Sequence, residues 1–395
     1  MKKTHNVKTV LRAGALLAVA VTGGNLAQAQ TCSATWTGNA GDGKWSTAGN
    51  WSPRKVPDAT SDVCIPILTT ADATATPSIF VHSIQVVEGA SLLFGSGQVS
   101  IATSVVNQGG ITLYGTTLSA GSIDLPAPGQ IGAYDNSSIT SPAFSNAAGT
   151  VSVGAGGTLR LADNPVQLQN GNLSGGNWLV SSGVLVLPSD ISQLTSQGTV
   201  ISLDGTGSAI EDASGHNALA RLTSVGPGAV LALFGGASLT IAQSLTSQGV
   251  LDVSGSLTVT GAYTQLSGAT TNMGGTLNAA SVTVQAGSTL QGGGTVESSI
   301  TNNGTVAPQG SLTVTGNYTQ TSGAALTEQF GSTLHVNLNA ALSGALNVAV
   351  NPKRPPKSGA TYTALTFGSL NGSFTRHTAG FTLTTNANNI QVTKQ

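Results

Sequence analysis

Gly255-Ser-Leu-Thr-Val-Thr-Gly-Ala-Tyr-Thr-Gln-Leu-Ser-Gly-Ala269 returns further along the chain as Gly310-Ser-Leu-Thr-Val-Thr-Gly-Asn-Tyr-Thr-Gln-Thr-Ser-Gly-Ala324, with 13 of 15 positions identical. Upstream, Thr246-Ser-Gln-Gly249 aligns with Thr301-Asn-Asn-Gly304 in the same register, and Leu194-Thr-Ser-Gln-Gly198 carries a third copy of that lead-in. Self-similarity in register is the mark of stacked structural repeats. Within each copy apolar and polar residues alternate, which places Leu and Val on one face of a strand and Thr or Ser on the other. The same alternation recurs at Ile111-Thr-Leu113, Val151-Ser-Val153, Leu159-Arg-Leu161 and Val282-Thr-Val284. These short runs are separated by Asn107-Gln-Gly-Gly110, Asn170-Gly171 and Asn302-Asn-Gly304, whose residue types tolerate the positive φ of sharp corners. The pattern predicts an all-β fold, a right-handed parallel β-helix (β-solenoid). Its coils are expected to hold about 20–25 residues, on the order of a dozen in all, in a rod about 60 Å long. A β-sandwich would use longer strands and would not need the repeat.

Composition narrows the function classes. Of 395 residues only 7% are charged and 4% aromatic, and 52 are Gly. A nucleic-acid binder needs a basic face, which this chain lacks. At 39% hydrophobic it does not have the composition of a disordered chain. Lys2, Lys3, Lys8 and Arg12, the short apolar run 13–21 and Ala27-Gln-Ala29 form the three parts of a secretory signal, predicted to be removed after Ala29. The remainder holds ten Lys and Arg against fifteen Asp and Glu, a formal charge of −5. No later apolar run is long enough for a transmembrane helix. The expected location is extracellular or the outer cell surface, with the periplasm as the alternative.

Cys32 and Cys64 are the two cysteines, and an even pair in an exported chain reads as a disulfide. Between them lie Trp36, Trp45 and Trp51, three of the four Trp residues. Burial beneath the first coils is the favoured reading, and a sugar-stacking platform is the alternative. The expected organisation is a signal at 1–29, a disulfide-linked N-terminal cap at 30–74, solenoid repeats at 75–324 and a C-terminal β cap at 325–395. The cap is marked by Asn351-Pro-Lys-Arg-Pro-Pro-Lys357, which no strand accommodates.

Chemistry has few places to reside. Between Arg221 and Lys353 there is no Lys or Arg, and the ionisable residues apart from Tyr are Asp252, Glu297, Glu328 and His335. Polysaccharide lyases and hydrolases built on a β-helix need clustered carboxylates and bases, which most of this chain cannot supply. The densest patch is Asp204, Glu211, Asp212, His216 and Arg221. Glu211, Asp212 and His216 are therefore the fallback candidates for acid–base chemistry or Ca²⁺ binding, against a solvated insertion as the simpler reading. Asp42 reads as a turn residue, and His82, His335 and His377 as isolated. The Thr-x-Thr pairs Thr258/Thr260, Thr313/Thr315, Thr319/Thr321 and Thr382/Thr384 lack the constant one-coil spacing that a Thr-lined ice-binding face would need. No cofactor or metal site is expected.

Two stretches resemble the passenger regions of bacterial autotransporters and related exported β-helix proteins. One is Trp36-Thr-Gly-Asn-Ala-Gly-Asp-Gly-Lys-Trp-Ser-Thr-Ala-Gly-Asn-Trp-Ser52 with Val56-Pro-Asp-Ala-Thr-Ser-Asp-Val-Cys-Ile65. The other comprises the 310–320 repeat, Leu342-Ser-Gly-Ala-Leu-Asn-Val348, Ser358–Phe367 and Gly372-Ser-Phe374. Between them the likeness is compositional. It implies a β-helix and export, and no catalytic residue, because the matching motifs contain none. In that family a translocating β-barrel follows the passenger, and this sequence holds none. The expectation is secretion by another protein, periplasmic residence or release. The function expected from these readings is adhesin-like binding of polysaccharide or cell-envelope surfaces without enzymatic activity. A polysaccharide lyase or hydrolase and a passive structural protein are the alternatives.

Overall fold

A computed structural model describes residues 31–195 and 197–395. The expected signal segment 1–29 lies outside the described residues. Residues 32–395 form one unit, a parallel β-solenoid of about 14 turns. With strands about 4.8 Å apart the stack is roughly 65 Å long.

Period-two alternation builds the core. One inward position runs in register from Ala71 through Leu92, Ile111, Ile131 and Val151, and on through Leu231 and Leu251 to Leu326 and Leu346. Every one of these side chains is buried. Burying a Leu, Ile or Val contributes about 1.5–3 kcal/mol, and each coil adds only a thin layer of them, so each coil depends on its neighbours.

Coil length departs from expectation in both directions. From Leu245 through Tyr263, Val282 and Ile300 to Tyr318 the coils are shorter than predicted. Coil-to-coil bonds in this region, Asn317 to Ser299 and Gln291 to Asn272, span 18 and 19 residues. The long sequence repeat therefore corresponds to three coils, from Tyr263 to Tyr318. Other coils are longer. Val151 to Trp178 includes the hairpin Leu168–Gln169 with Asn172–Leu173, whose turn residues Asn170 and Gly171 have φ of 52° and 78°. The coil from Ile201 to Leu231 includes the charged patch. Many strands are also longer than predicted. Ser256–Gln265, Thr276–Val284 and Thr305–Val314 each pass through a corner as one bent strand. The register shifts between Val259 and Ala262, as a β-bulge allows. The local sequence pattern marks the straight arms but not the continuous ladder around the bend.

Corners carry polar groups inside. Ser247, Gln265, Val284, Asn302 and Gln320 form one inward column, and all but Val284 are polar. Asn302 Nδ2 donates to the Ala325 carbonyl at 3.0 Å, and its Oδ1 accepts the Gly304 N–H at 3.0 Å. Asn107 repeats this geometry with Gln130 O at 2.7 Å and the Gly109 N–H at 3.0 Å. Gln265 and Gln320 likewise donate to carbonyls one coil ahead, at Thr289 and Ser343. These amides satisfy the peptide groups that a sharp turn withdraws from the ladder. The glycine two residues on is required sterically. A Cβ at Gly304 would lie 2.2 Å from the Gln285 carbonyl oxygen.

Both ends of the stack leave parallel geometry. Ala34–Trp36 pairs in parallel with Asp62–Ile65 and antiparallel with Trp51–Ser52. Trp36, Trp45 and Trp51 are buried, packed edge to face at 5.0 and 4.7 Å between centroids. Burial therefore removes the stacking-platform alternative. Asp42 accepts from Thr47 Oγ1, Asn50 Nδ2 and the Lys44 N–H, which folds the glycine-rich loop over the rings. The Cys32–Cys64 disulfide forms as expected. At the other end parallel pairing persists to Arg376–His377 on Ala345–Leu346. There Thr361–Gly372 turns antiparallel against Asn389–Lys394, which pairs with Phe381–Thr385. Antiparallel hairpins thus cover what would be adhesive sheet edges.

Replacing Asn302 with Ala leaves the Ala325 carbonyl, the Gly304 N–H and the Tyr318 hydroxyl short of a partner. An unsatisfied buried group costs about 1–3 kcal/mol. The expected result is a clear fall in the thermal midpoint of Asn302→Ala by circular dichroism. Thr301→Ala, one residue away but outward, should shift it little.

Candidate functional site

The charged patch foreseen at 204–221 is a turn, not a cleft. Asp212 lies at its head and accepts the N–H groups of Ser214 and His216 on Oδ1, at 2.7 and 3.0 Å. The His216 N–H is the main reason its carboxyl titrates below the ordinary range. His216 Nδ1 lies 3.5 Å from Asp212 Oδ2 and is largely exposed. Glu211 ends the strand Ala209–Glu211 and bridges to Asn217, and Arg221 faces Asp190 at 3.6 Å. Asp204 ends a different strand, Val200–Asp204. The Asp212 carboxylate is thus committed to its own turn. Among the described residues no group of three His, Cys, Asp or Glu is placed to hold a metal ion.

Two histidines that read as isolated have partners one coil away. His82 Nδ1 reaches Asp62 Oδ1 at 2.7 Å, an oxygen that also accepts from Ser83. His335 Nδ1 contacts Thr366 Oγ1 at 2.8 Å. Both contacts staple consecutive coils, and their partners lie too far away in sequence for spacing to reveal them.

The most regular surface feature is a row of hydroxyls. Thr246, Thr264, Thr283, Thr301 and Thr319 occupy one outward position on five successive coils, paired in register. At about 4.8 Å per coil the row is roughly 19 Å long. Thr301 and Thr319 are exposed and the other three half-buried. Two residues before each Thr stands Ser244, Ala262, Ser281, Ser299 or Asn317. Part of this second row serves the fold. Ser244 Oγ accepts the Ala262 N–H, Ser299 Oγ the Asn317 N–H and Asn317 Oδ1 the Asn339 N–H. At another outward position of the coils Asp252, Asn272 and Gln291 hydrogen-bond to one another from coil to coil. The Thr row differs. Thr246 Oγ1 donates to the Thr223 carbonyl at 3.1 Å, while the hydroxyls of Thr264, Thr283, Thr301 and Thr319 make no hydrogen bond among the described residues. They are free to meet a ligand.

Of the Thr-x-Thr pairs seen in the sequence, only Thr319/Thr321 contributes a member to this row. Thr258 instead stacks on Asn278, and Thr313 on His335. Each coil contributes a single Thr, preceded by a varying apolar residue. Aligning Leu245, Tyr263, Val282, Ile300 and Tyr318 at one-coil spacing is the signal that would have found it.

Glu328 is a second feature that the sequence conceals. Its carboxyl is buried in the core near the C-terminal end. Tyr362 Oη donates to Oε2 at 3.4 Å, and Oε1 has no hydrogen-bond partner among the described residues. Burial raises its pKa well above the ordinary carboxylate range. No helix among the described residues is long and apolar enough to cross a membrane. No family model, curated protein or solved structure matches the chain.

Glu328 gives a pH signature. The folded chain keeps this acid neutral, while the unfolded chain ionises it near pH 4.5. Its contribution to stability is fully present below that pH and is lost as pH rises toward the elevated folded pKa. In thermal melts Glu328→Gln should match the wild type near pH 4 and melt higher than it near pH 8.

Proposed function

We propose that this protein is an exported β-solenoid, secreted or held at the outer surface, that binds polysaccharide or cell-envelope material along its outward rows without altering it. The observation that carries the reading is the run of four unpartnered Thr hydroxyls at one-coil spacing. A flat strand face with hydroxyls every ~4.8 Å suits a polymer of repeating hydroxyls, which engages many weak hydrogen bonds at once. Each is worth about 1 kcal/mol, and their linkage along one rigid face makes the sum useful. Charge contributes little here, because residues 222–352 carry no Lys or Arg and only three acids, of which Glu328 is buried. Support for export comes from the signal-like leader and the Cys32–Cys64 bond, which suits an oxidising compartment. The resemblance to autotransporter passengers agrees with both. The turn geometry of Asp212 favours a binding role over lyase or hydrolase chemistry.

The test uses residues 30–395 on a panel of neutral and cell-wall polysaccharides, scoring retention and released reducing or unsaturated ends. Retention without release is expected. Replacing Thr283 and Thr301 together with Val should weaken retention on the order of tenfold, since two hydrogen bonds are removed, with the melting midpoint unchanged. Release of ends that is lost in Glu211→Gln or His216→Ala would make the protein an enzyme instead.

A further inference from the structure

Charge is segregated along the rod. All fifteen Asp and Glu lie between Asp42 and Glu328. Residues 329–395 contain Lys353, Arg354, Lys357, Arg376 and Lys394 and no acid. The structure gathers these cations at the C-terminal end. Lys353, Arg354 and Lys357 stand exposed on the loop between Ala345–Ala349 and Thr361–Gly372. A turn in which Asn351 accepts the N–H groups of Lys353 and Arg354 shapes the loop. Three prolines deny it strand pairing. Arg376, also exposed, pairs by its backbone with Ala345 at the start of the strand that leads into this loop. That strand separates it from the loop by roughly 15 Å. Among the described residues none of these four cations has an ion-pair partner. Lys394 is different, because its ammonium is held by the Gly380 carbonyl and the Phe381 ring.

Beside Arg376 lies a groove of about 380 Å³, the space between Thr361–Gly372 and the terminal hairpin. Leu370, Phe374 and Leu383 line its apolar part, and His377, Thr382 and Thr385 supply polar groups. An apolar floor with hydroxyl and imidazole neighbours fits a sugar ring. Arg376, next in sequence to the lining residue His377, sets one unpaired cation beside it, which favours an anionic ring. The loop 351–357 carries no large apolar side chain to insert into a bilayer.

We propose that the C-terminal end of the rod is an anion-binding tip that docks on a carboxylate-bearing polysaccharide, with Lys353, Arg354, Lys357 and Arg376 as its charge contacts. The tip extends the polysaccharide-binding reading but uses a different surface from the Thr row. A rod bearing both would meet an acidic polymer end-on and a neutral one along its side.

The experiment measures binding of residues 30–395 to immobilised polygalacturonate, to dextran and to vesicles containing anionic phospholipid, at about 50 and about 500 mM NaCl. Binding to polygalacturonate is expected at the lower salt and should fall on the order of tenfold at the higher, as screening of exposed charges requires. The combined variant Lys353→Glu, Arg354→Glu, Lys357→Glu should lose that binding while melting like the wild type, and Arg376→Glu alone should weaken it. The Thr283→Val, Thr301→Val variant should keep it, so failure of the row and failure of the tip are distinguishable. Absence of polygalacturonate binding, equal binding by the charge-reversed variant, indifference to salt, or preference for the vesicles would each overturn the proposal.

Discussion

A coil of this protein cannot stand alone. Its peptide groups point along the rod axis to the coils before and after it, and its inward side chains make one thin layer. Hydrogen bonding and hydrophobic burial are therefore both supplied by neighbours. Every other feature follows from that dependence. Side chains must alternate because one face is always interior. The ladder must stay in register because a slip of one residue would turn each Leu and Val outward. Two ends remain where the dependence is unmet, and these are where the chain places its clustered Trp rings, its disulfide and the antiparallel strands that cap the stack.

Corners are the second consequence. A short coil must turn sharply, and each turn withdraws peptide groups from the ladder. Asn107, Asn302, Gln265 and Gln320 resolve this by reaching inward to carbonyls on the next coil. The same requirement explains the glycine two residues after each Asn. Longer coils escape it by bulging outward, as at Asn170-Gly171 and at Asp212–His216. The charged patch is thus a by-product of coil length, and its acidic head is consumed in closing the turn.

Much of the fold was legible because the repeat is local. Alternation at Leu257-Thr-Val259, the 13-of-15 match and the Trp-rich segment beside Cys32 all lie within short windows. Beyond the proline-rich loop, the alternation at 362–367, 380–385 and 389–393 reads as strands, and these correspond to Thr361–Gly372, Phe381–Thr385 and Asn389–Lys394. The candidate surface was far less legible. Thr264 and Thr283 become neighbours only after a coil closes, and their flanking residues differ. His82 with Asp62 and His335 with Thr366 are hidden in the same way. Glu328 reads as an ordinary strand residue, because its inward orientation depends on a register that the sequence does not print.

A rod with three zones results. The N-terminal part carries most of the acids, residues 222–352 are nearly uncharged and rich in Thr, Ser and Asn, and the last residues are basic. Under the proposed function, uncharged rows with free hydroxyls would bind with an affinity that accumulates with contact length rather than recognise one sugar in one pocket. The most direct measurement is calorimetric titration of residues 30–395 with oligosaccharides of increasing length, cut from a neutral polysaccharide that retains the protein. Affinity should climb with each added sugar until the chain spans the roughly 19 Å Thr row and then level off. Full affinity for a mono- or disaccharide would contradict the account, because it would place recognition in a closed site instead of on the face of the solenoid.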